Sequence, residues 1–254
     1  MEIFLNIAVI QFDIVWENPD QNLMLLSRFI ATIDQTDVIV LPEMFSTGFS
    51  MKPQLFDTQH QKKVMQWMQN IIETKKCAVC GSIIFKEHNV YYNRFIWMDE
   101  TGQTIFYDKV HLFSLVGEEK IYQKGINPEP IIHYKNWKIL PQICYDLRFP
   151  ESARNKSNYD LLLYVSNWPE VRSYAWNTLL KARAIENLVY TIACNRVGKD
   201  RNGIFHSGDS QIISFDGIVL NKAQKGKTQM IQSSLSKENL LKFRKQFPFL
   251  EDIL

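Results

Sequence analysis

Short apolar runs alternate along the chain with amphipathic stretches of helical period. Phe4 to Phe12 is one such run and predicts a buried strand. Asn18-Pro19 predicts a helix start, with Asn18 as N-cap and Pro19 at the first helical position. Leu23, Leu26 and Ile30 then recur at spacings of three and four. Asp37 to Leu41 predicts a second buried strand, stopped by Pro42. Thr58 to Lys76 predicts a helix whose apolar stripe is Val64, Trp67, Met68, Ile71 and Ile72. Cys77 to Phe85 and Val90 to Met98 predict strands, and Thr101-Gly102 turns the chain into a third, Thr104 to Asp108.

The second half repeats the theme. Trp137 to Ile143, Asp160 to Val165, Tyr190 to Asn195 and Gln211 to Phe215 predict strands. Helices are expected over Pro150 to Asn155 and Ser173 to Asn187, a hairpin turn at Asp216-Gly217, and an amphipathic tail over Ser236 to Gln246. Both halves thus carry a similar β-α-β-α-β-β order. An α/β fold follows, with two mixed sheets face to face and helices on their outer faces. The pattern shows no linker, so a single domain over 1–254 is expected.

Composition narrows the function classes. Of 254 residues, 46% are hydrophobic and 22% charged, enough for one large core without staples. The net charge is 29 − 27 = +2 with no basic block, which argues against nucleic acid or anionic lipid as partner. No apolar run reaches the roughly 18 residues of a membrane span. Met1 to Ile10 lacks a basic start and a cleavage site, and four cysteines make no disulfide scaffold. A cytoplasmic protein with reduced thiols is expected.

Cys77 and Cys80 form C-x-x-C, but no second pair follows. In a strand, positions three apart face opposite ways, so the pair predicts two core residues and no metal site. Cys194, in the apolar run after Val189, reads the same way. Cys144 differs, because there the strand Ile139 to Ile143 gives way to polar Tyr-Asp-Leu-Arg. A thiol at a strand-to-helix turn can sit near backbone N–H groups that lower its pKa or hold an oxyanion. The alternative is a buried cysteine closing a strand. A nucleophile needs a base. The five histidines form no Cys/His pattern, although His111 and His206 flank plausible sites. Glu43 follows a buried strand, and a buried carboxylate can serve instead. Lys109 ends another strand. Glu43 could equally be a surface-loop charge, and lysines are usually solvated, yet all three fall at strand carboxyl ends, where α/β sheets gather ligands.

Leu-Pro-Glu43-Met-Phe, Tyr-Asp-Lys109-Val-His-Leu-Phe and Gln-Ile-Cys144-Tyr-Asp-Leu-Arg-Phe-Pro-Glu resemble the nitrilase superfamily of carbon–nitrogen hydrolases. The resemblance runs from about Ile7 to Phe247. Tyr164-Val-Ser-Asn-Trp-Pro169, Lys181 to Asn187 and Asn195-Arg-Val-Gly198 look most like its bacterial omega-amidase branch, and Cys144-Tyr-Asp argues against true nitrilases. The resemblance implies a four-layer αββα sandwich, a Glu43-Lys109-Cys144 triad without cofactor, and pairing into a homodimer or larger homo-oligomer, with the tail from about 232 in its contacts. It also implies a second glutamate ahead of a glycine; spacing to Gly125 favours Glu118, with Glu119 adjacent as the alternative. The oxyanion would rest on Lys109 and the backbone N–H of Tyr145. The implied substrates are small dicarboxylate monoamides, 2-oxoglutaramate and 2-oxosuccinamate. Other expectations are a ureidase or nitrilase, or a non-enzymatic binding protein on the same fold. A substrate carboxylate needs a cation. Arg148 could supply it or be paired with Glu151 or Asp146, and Arg172 could supply it or lie exposed at a helix start. Trp168 would wall off water.

Overall fold

The computed structural model describes residues 4–126 and 130–252. Of the apolar start, Met1 to Ile3 lie outside the described residues, so the expected single domain over 1–254 is described only in part. The first sheet has six strands in the order β14-β1-β2-β3-β4-β5. These are β1 (Phe4–Gln11), β2 (Val38–Val40), β3 (Ala78–Glu87), β4 (Val90–Met98), β5 (Thr104–Asp108) and β14 (Gln229–Ser236). The second, also of six, runs β13-β12-β9-β8-β7-β6. Its strands are β6 (Ile132–Tyr134), β7 (Trp137–Ile143), β8 (Leu161–Ser166), β9 (Tyr190–Asn195), β12 (Gln211–Ile213) and β13 (Val219–Lys222). A separate hairpin pairs β10 (Val197–Lys199) with β11 (Phe205–Ser207).

The layers follow from the two faces of each strand. Leu5, Ile7, Val9, Val38, Val40 and Trp97 of the first sheet meet Trp137, Ile139, Leu161, Leu163, Val165 and Ile192 of the second in one buried cluster. The alternate residues Ala8, Ile10, Ile39 and Val79 face outward onto α1 (Pro19–Ala31) and α2 (Thr58–Lys75). Leu140, Leu162, Tyr164 and Ala193 do the same under α3 (Pro150–Ala153) and α4 (Ser173–Asn187). This is the αββα sandwich. Burying both faces explains why the central parallel strands read as continuous apolar runs.

Helix ends match their signals. Asn18 accepts from Gln21 N–H at 3.2 Å, and Asp57 caps α2 through Gln59 and His60 N–H. Lys76 closes α2 in a left-handed conformation at φ 54°, one residue earlier than expected. The expected helix to Asn155 ends at Ala153. In the expected α2 stripe, Val64, Met68, Ile71 and Ile72 are buried, while Trp67 is half-buried and donates to Ser27 Oγ.

The main departure is at the C-terminal end. Gln229–Ser236 pairs antiparallel with β1 and completes the first sheet, so that sheet is not built from the first half alone. α5 (Lys237–Gln246) then seats Leu240 and Phe243 on the inter-sheet core, and Arg244 donates to the carbonyls of Leu188 and Tyr159. Residues 232–246 thus pack in part against their own chain.

Candidate active site

Three strand ends converge. Glu43 follows β2, Lys109 follows β5 and Cys144 follows β7. β7 runs parallel to β8, so Asn167 and Trp168 emerge on the same edge. Two of these exits bend sharply: Met44, next to Glu43, has φ 46°, and Cys144 has φ 45°. Non-glycine residues at such angles are uncommon and store strain. The chain leaves the strand abruptly there, and Cys144 lines a cavity of about 600 Å³ while still packing against the inter-sheet core.

Asp146 holds the Cys144 turn in place. Fully buried, it accepts from Ile143 N–H at 2.8 Å, Tyr107 OH at 2.9 Å and His111 N–H at 3.1 Å. The His111 ring lies 2.9 Å from the same carboxylate and stacks on Phe149. His111 thus belongs to the wall behind the cysteine.

Glu43, Lys109 and Glu118 form a buried ionic cluster. Lys109 Nζ donates to Glu43 Oε1 at 2.9 Å and to Glu118 Oε1 and Oε2 at 3.1 and 3.0 Å. All three side chains are 0–1% exposed. Burial works against the Lys109 ammonium, but Glu118 and Glu43 outweigh it and hold its pKa above the ordinary lysine value. Burial pushes the Glu118 carboxyl up, against the pull of Lys109. Glu118 also accepts from Phe113 N–H at 2.6 Å. Glu119 is exposed, which settles which of the adjacent pair enters the cluster. Gly125 lets this loop return: its N–H donates to Lys109 O at 3.0 Å, and a Cβ there would lie 2.2 Å from Asp108 O.

Glu43 Oε2 accepts from Asn167 N–H at 2.8 Å, and the Asn167 amide donates to Glu43 O. Cys144 and Glu43 line the same cavity. Burial and the Glu43 charge push the thiol well above the ordinary cysteine range. The resting group is therefore a thiol beside a carboxylate, with no preformed thiolate. Tyr145 lines the cavity directly after Cys144, its ring against Phe113 and Phe149.

Both arginines line the same cavity. Arg148 stacks over Trp168 at 5.1 Å and Arg172 over Phe113 at 5.1 Å. Trp168 Nε1 donates to Arg172 O at 2.8 Å, so one indole seats both. Among the described residues neither arginine has an ion pair. Pairing of Arg148 with Glu151 or Asp146 is thus not found; the Asp146 oxygens serve the Cys144 turn instead. Burial lowers the Arg172 pKa, with Cys144 opposing and Arg148 adding to the shift.

The other thiols are core. Cys80 faces the inter-sheet cluster and Cys77 the helix side, three residues apart on opposite faces. Burial raises both, Cys77 to about 12. Cys194 Sγ lies against Ile10 O and Val40 O. His206 reaches the cavity wall, but burial lowers its pKa to about 4, so it is neutral near neutral pH. Among the described residues no group of three His, Cys, Asp or Glu could hold a metal.

Two site residues were missed by pattern reasoning. Asn167 lies inside a quoted motif without a role. Asn93 donates to both Glu43 and Glu118, and its one signal was a polar residue within apolar β4.

Comparison with known proteins agrees with this geometry. The carbon–nitrogen hydrolase family matches residues 6–245. The omega-amidase YafV of Escherichia coli K12 is 40% identical over 248 residues, covering 98% of this chain and 96% of the relative. The 2-oxoglutaramate amidase of Bacillus subtilis is 31% identical over 255 residues, covering 97% and 96%. The crystal structure of XC1258 from Xanthomonas campestris, a CN-hydrolase superfamily protein with an arsenic adduct in its active site, superposes with a TM-score of 0.91 at 33% identity, over 99% of this chain and 97% of that one. By sequence and by fold, this chain belongs to the carbon–nitrogen hydrolase family.

Proposed function

We propose that the protein is an omega-amidase, hydrolysing the terminal amide of small dicarboxylate monoamides such as 2-oxoglutaramate and 2-oxosuccinamate to acid and ammonia. The observation that carries this reading is one cavity holding Cys144, Glu43 and Lys109 at one end and two arginines without carboxylate partners beside them. Relatives named omega-amidase and 2-oxoglutaramate amidase support it.

Glu43 takes the thiol proton as Cys144 Sγ attacks the amide carbon. A thiol with a raised pKa needs such a base at the moment of attack. The carbonyl oxygen becomes an oxyanion held by Lys109 Nζ and Tyr145 N–H, each donor contributing about 3 kcal/mol. Collapse breaks the C–N bond. The proton on Glu43 passes to the nitrogen, and ammonia leaves a thioester on Cys144. Water then gives a proton to Glu43 and attacks the thioester, releasing the acid and returning the thiol. Glu118 keeps Lys109 charged and aimed. Arg172, with Arg148 beside it, takes the substrate carboxylate, and Trp168 holds the pair and walls off water. The chemistry calls for no cofactor.

Tyr174, Val171, Ile185 and Ile218 expose apolar side chains on or beside α4, which supports a homodimer through that layer. Four free cysteines fit a reducing cytoplasm, and no helix among the described residues is long and apolar enough to cross a membrane.

The test is ammonia release by purified protein from 2-oxoglutaramate, 2-oxosuccinamate, butyramide, a carbamoyl amide and a nitrile. Fastest turnover on the carboxylate-bearing monoamides is expected. Carbon dioxide released with ammonia would identify a ureide hydrolase instead, preference for butyramide would reject the carboxylate reading, and no release at all would favour a binding protein.

A further inference from the structure

Asn93 stands mid-strand in β4, fully buried, and the mechanism above does not use it. Its Nδ2 donates to Glu43 Oε1 at 2.7 Å and to Glu118 Oε1 at 3.2 Å. Its Oδ1 accepts from Ser82 Oγ at 2.8 Å, and Ser82 Oγ itself accepts from Met44 N–H at 2.9 Å. That relay fixes the amide's orientation. The serine oxygen already receives a backbone proton, so its own proton goes to the amide oxygen, and both amide protons are left for the two carboxylates.

The electrostatics give this arrangement a purpose. Glu43 and Glu118 are two buried carboxylates around one lysine, a set with formal charge −1. Burial alone favours protonating one of them. A base must be ionised before it can accept the thiol proton. A neutral side chain that offers one N–H to each carboxylate favours their charged forms without adding a charge. Aspartate, with the same shape, would add a third anion.

We propose that Asn93, oriented by Ser82, is a positioning residue that holds Glu43 ionised and so sets the lower pH limit of the reaction; this rests on the reading of Glu43 as base. The other titratable groups facing Glu43 are Lys109 from the end of β5, Glu118 and Tyr122 from the following loop, and Cys144 from its turn. Burial raises Tyr122 above the usual tyrosine range, and His206 in the cavity wall titrates near 4. Neither changes charge near neutral pH.

The experiment follows the rate of Cys144 alkylation by iodoacetamide, located by peptide mapping, and kcat/KM on 2-oxoglutaramate across pH. The proteins compared are wild type, Asn93→Leu, Ser82→Ala and Glu43→Gln. Loss of a hydrogen bond to the charged form raises a carboxylate pKa, so the acid limb of both profiles moves upward by about one pH unit in Asn93→Leu. Ser82→Ala moves it the same way by less. Limbs left in place in the folded variants, with only the plateau lowered, would overturn the proposal. If Asn93→Leu does not fold, Ser82→Ala decides alone. Glu43→Gln is expected to lose the limb; its survival there would instead reject Glu43 as the base.

Discussion

Lys109→Met removes the cation from a cluster whose side chains are almost wholly buried. In the native protein its ammonium lies 2.9 Å from Glu43 and 3.0 Å from Glu118, with all three side chains at most 1% exposed. Methionine nearly matches the stem in volume, so packing changes little and the effect is electrostatic. Breaking a buried pair from one side costs about 3–5 kcal/mol, because the remaining charge is left uncompensated. For a domain of this size that lowers the melting temperature by roughly 6–20 °C. The pH dependence is the sharper signature. With the lysine gone, Glu118 loses the charge that opposes its burial, and burial already raises its carboxyl in the native protein. The folded variant then binds more protons than the unfolded chain, so its stability falls as pH rises through that window. Its deficit relative to wild type should be full at about pH 8 and shrink toward about pH 5. Urea unfolding of both proteins at the two pH values measures it. A deficit under about 1 kcal/mol, or one equal at both pH values, would refute the reading of the cluster as a buried, mutually dependent charge set.

Cys144→Ala should leave the fold intact and turnover below about a thousandth of wild type; more than that would reject Cys144 as nucleophile. Arg172→Ala should raise KM for 2-oxoglutaramate at least about tenfold while leaving butyramide nearly unaffected, since a hydrogen-bonded charge pair contributes roughly 1.5–3 kcal/mol. Equal losses on both substrates would show that Arg172 does not read the carboxylate. Chelation should leave activity unchanged, because the lysine and a backbone N–H supply the polarisation; zinc lost together with activity would contradict that and reopen Cys77 and Cys80.

The layered fold was legible because most positions on both faces of the central strands are buried, which makes β1, β2, β7, β8 and β9 predominantly apolar runs. The strand Gln229–Ser236 was not. It is an edge strand with Gln232, Ser233 and Ser234 in its middle, and only its pairing with β1 makes it a strand. Glu43, Lys109 and Cys144 were legible as polar residues placed at the ends of such runs, and their motifs resembled a known family. Spacing to Gly125 favoured Glu118 over Glu119 and no more, because adjacent residues in a loop carry no periodicity. Asn93 showed only as a polar residue inside β4: its two hydrogen bonds reach residues 50 and 25 positions away, and no local pattern encodes them. The freedom of Arg148 from Asp146 likewise depends on Tyr107 and His111, brought in from β5 and the loop beyond it.

The central claim is a covalent thioester on Cys144, formed from a carboxylate-bearing amide. Rapid acid quench during turnover of 2-oxoglutaramate, followed by peptide mass mapping, tests it most directly. One 2-oxoglutaryl group is expected on the peptide that carries Cys144, absent from Cys77, Cys80 and Cys194, appearing no later than the first ammonia. Ammonia release at the full rate with Cys144 unmodified throughout would contradict it.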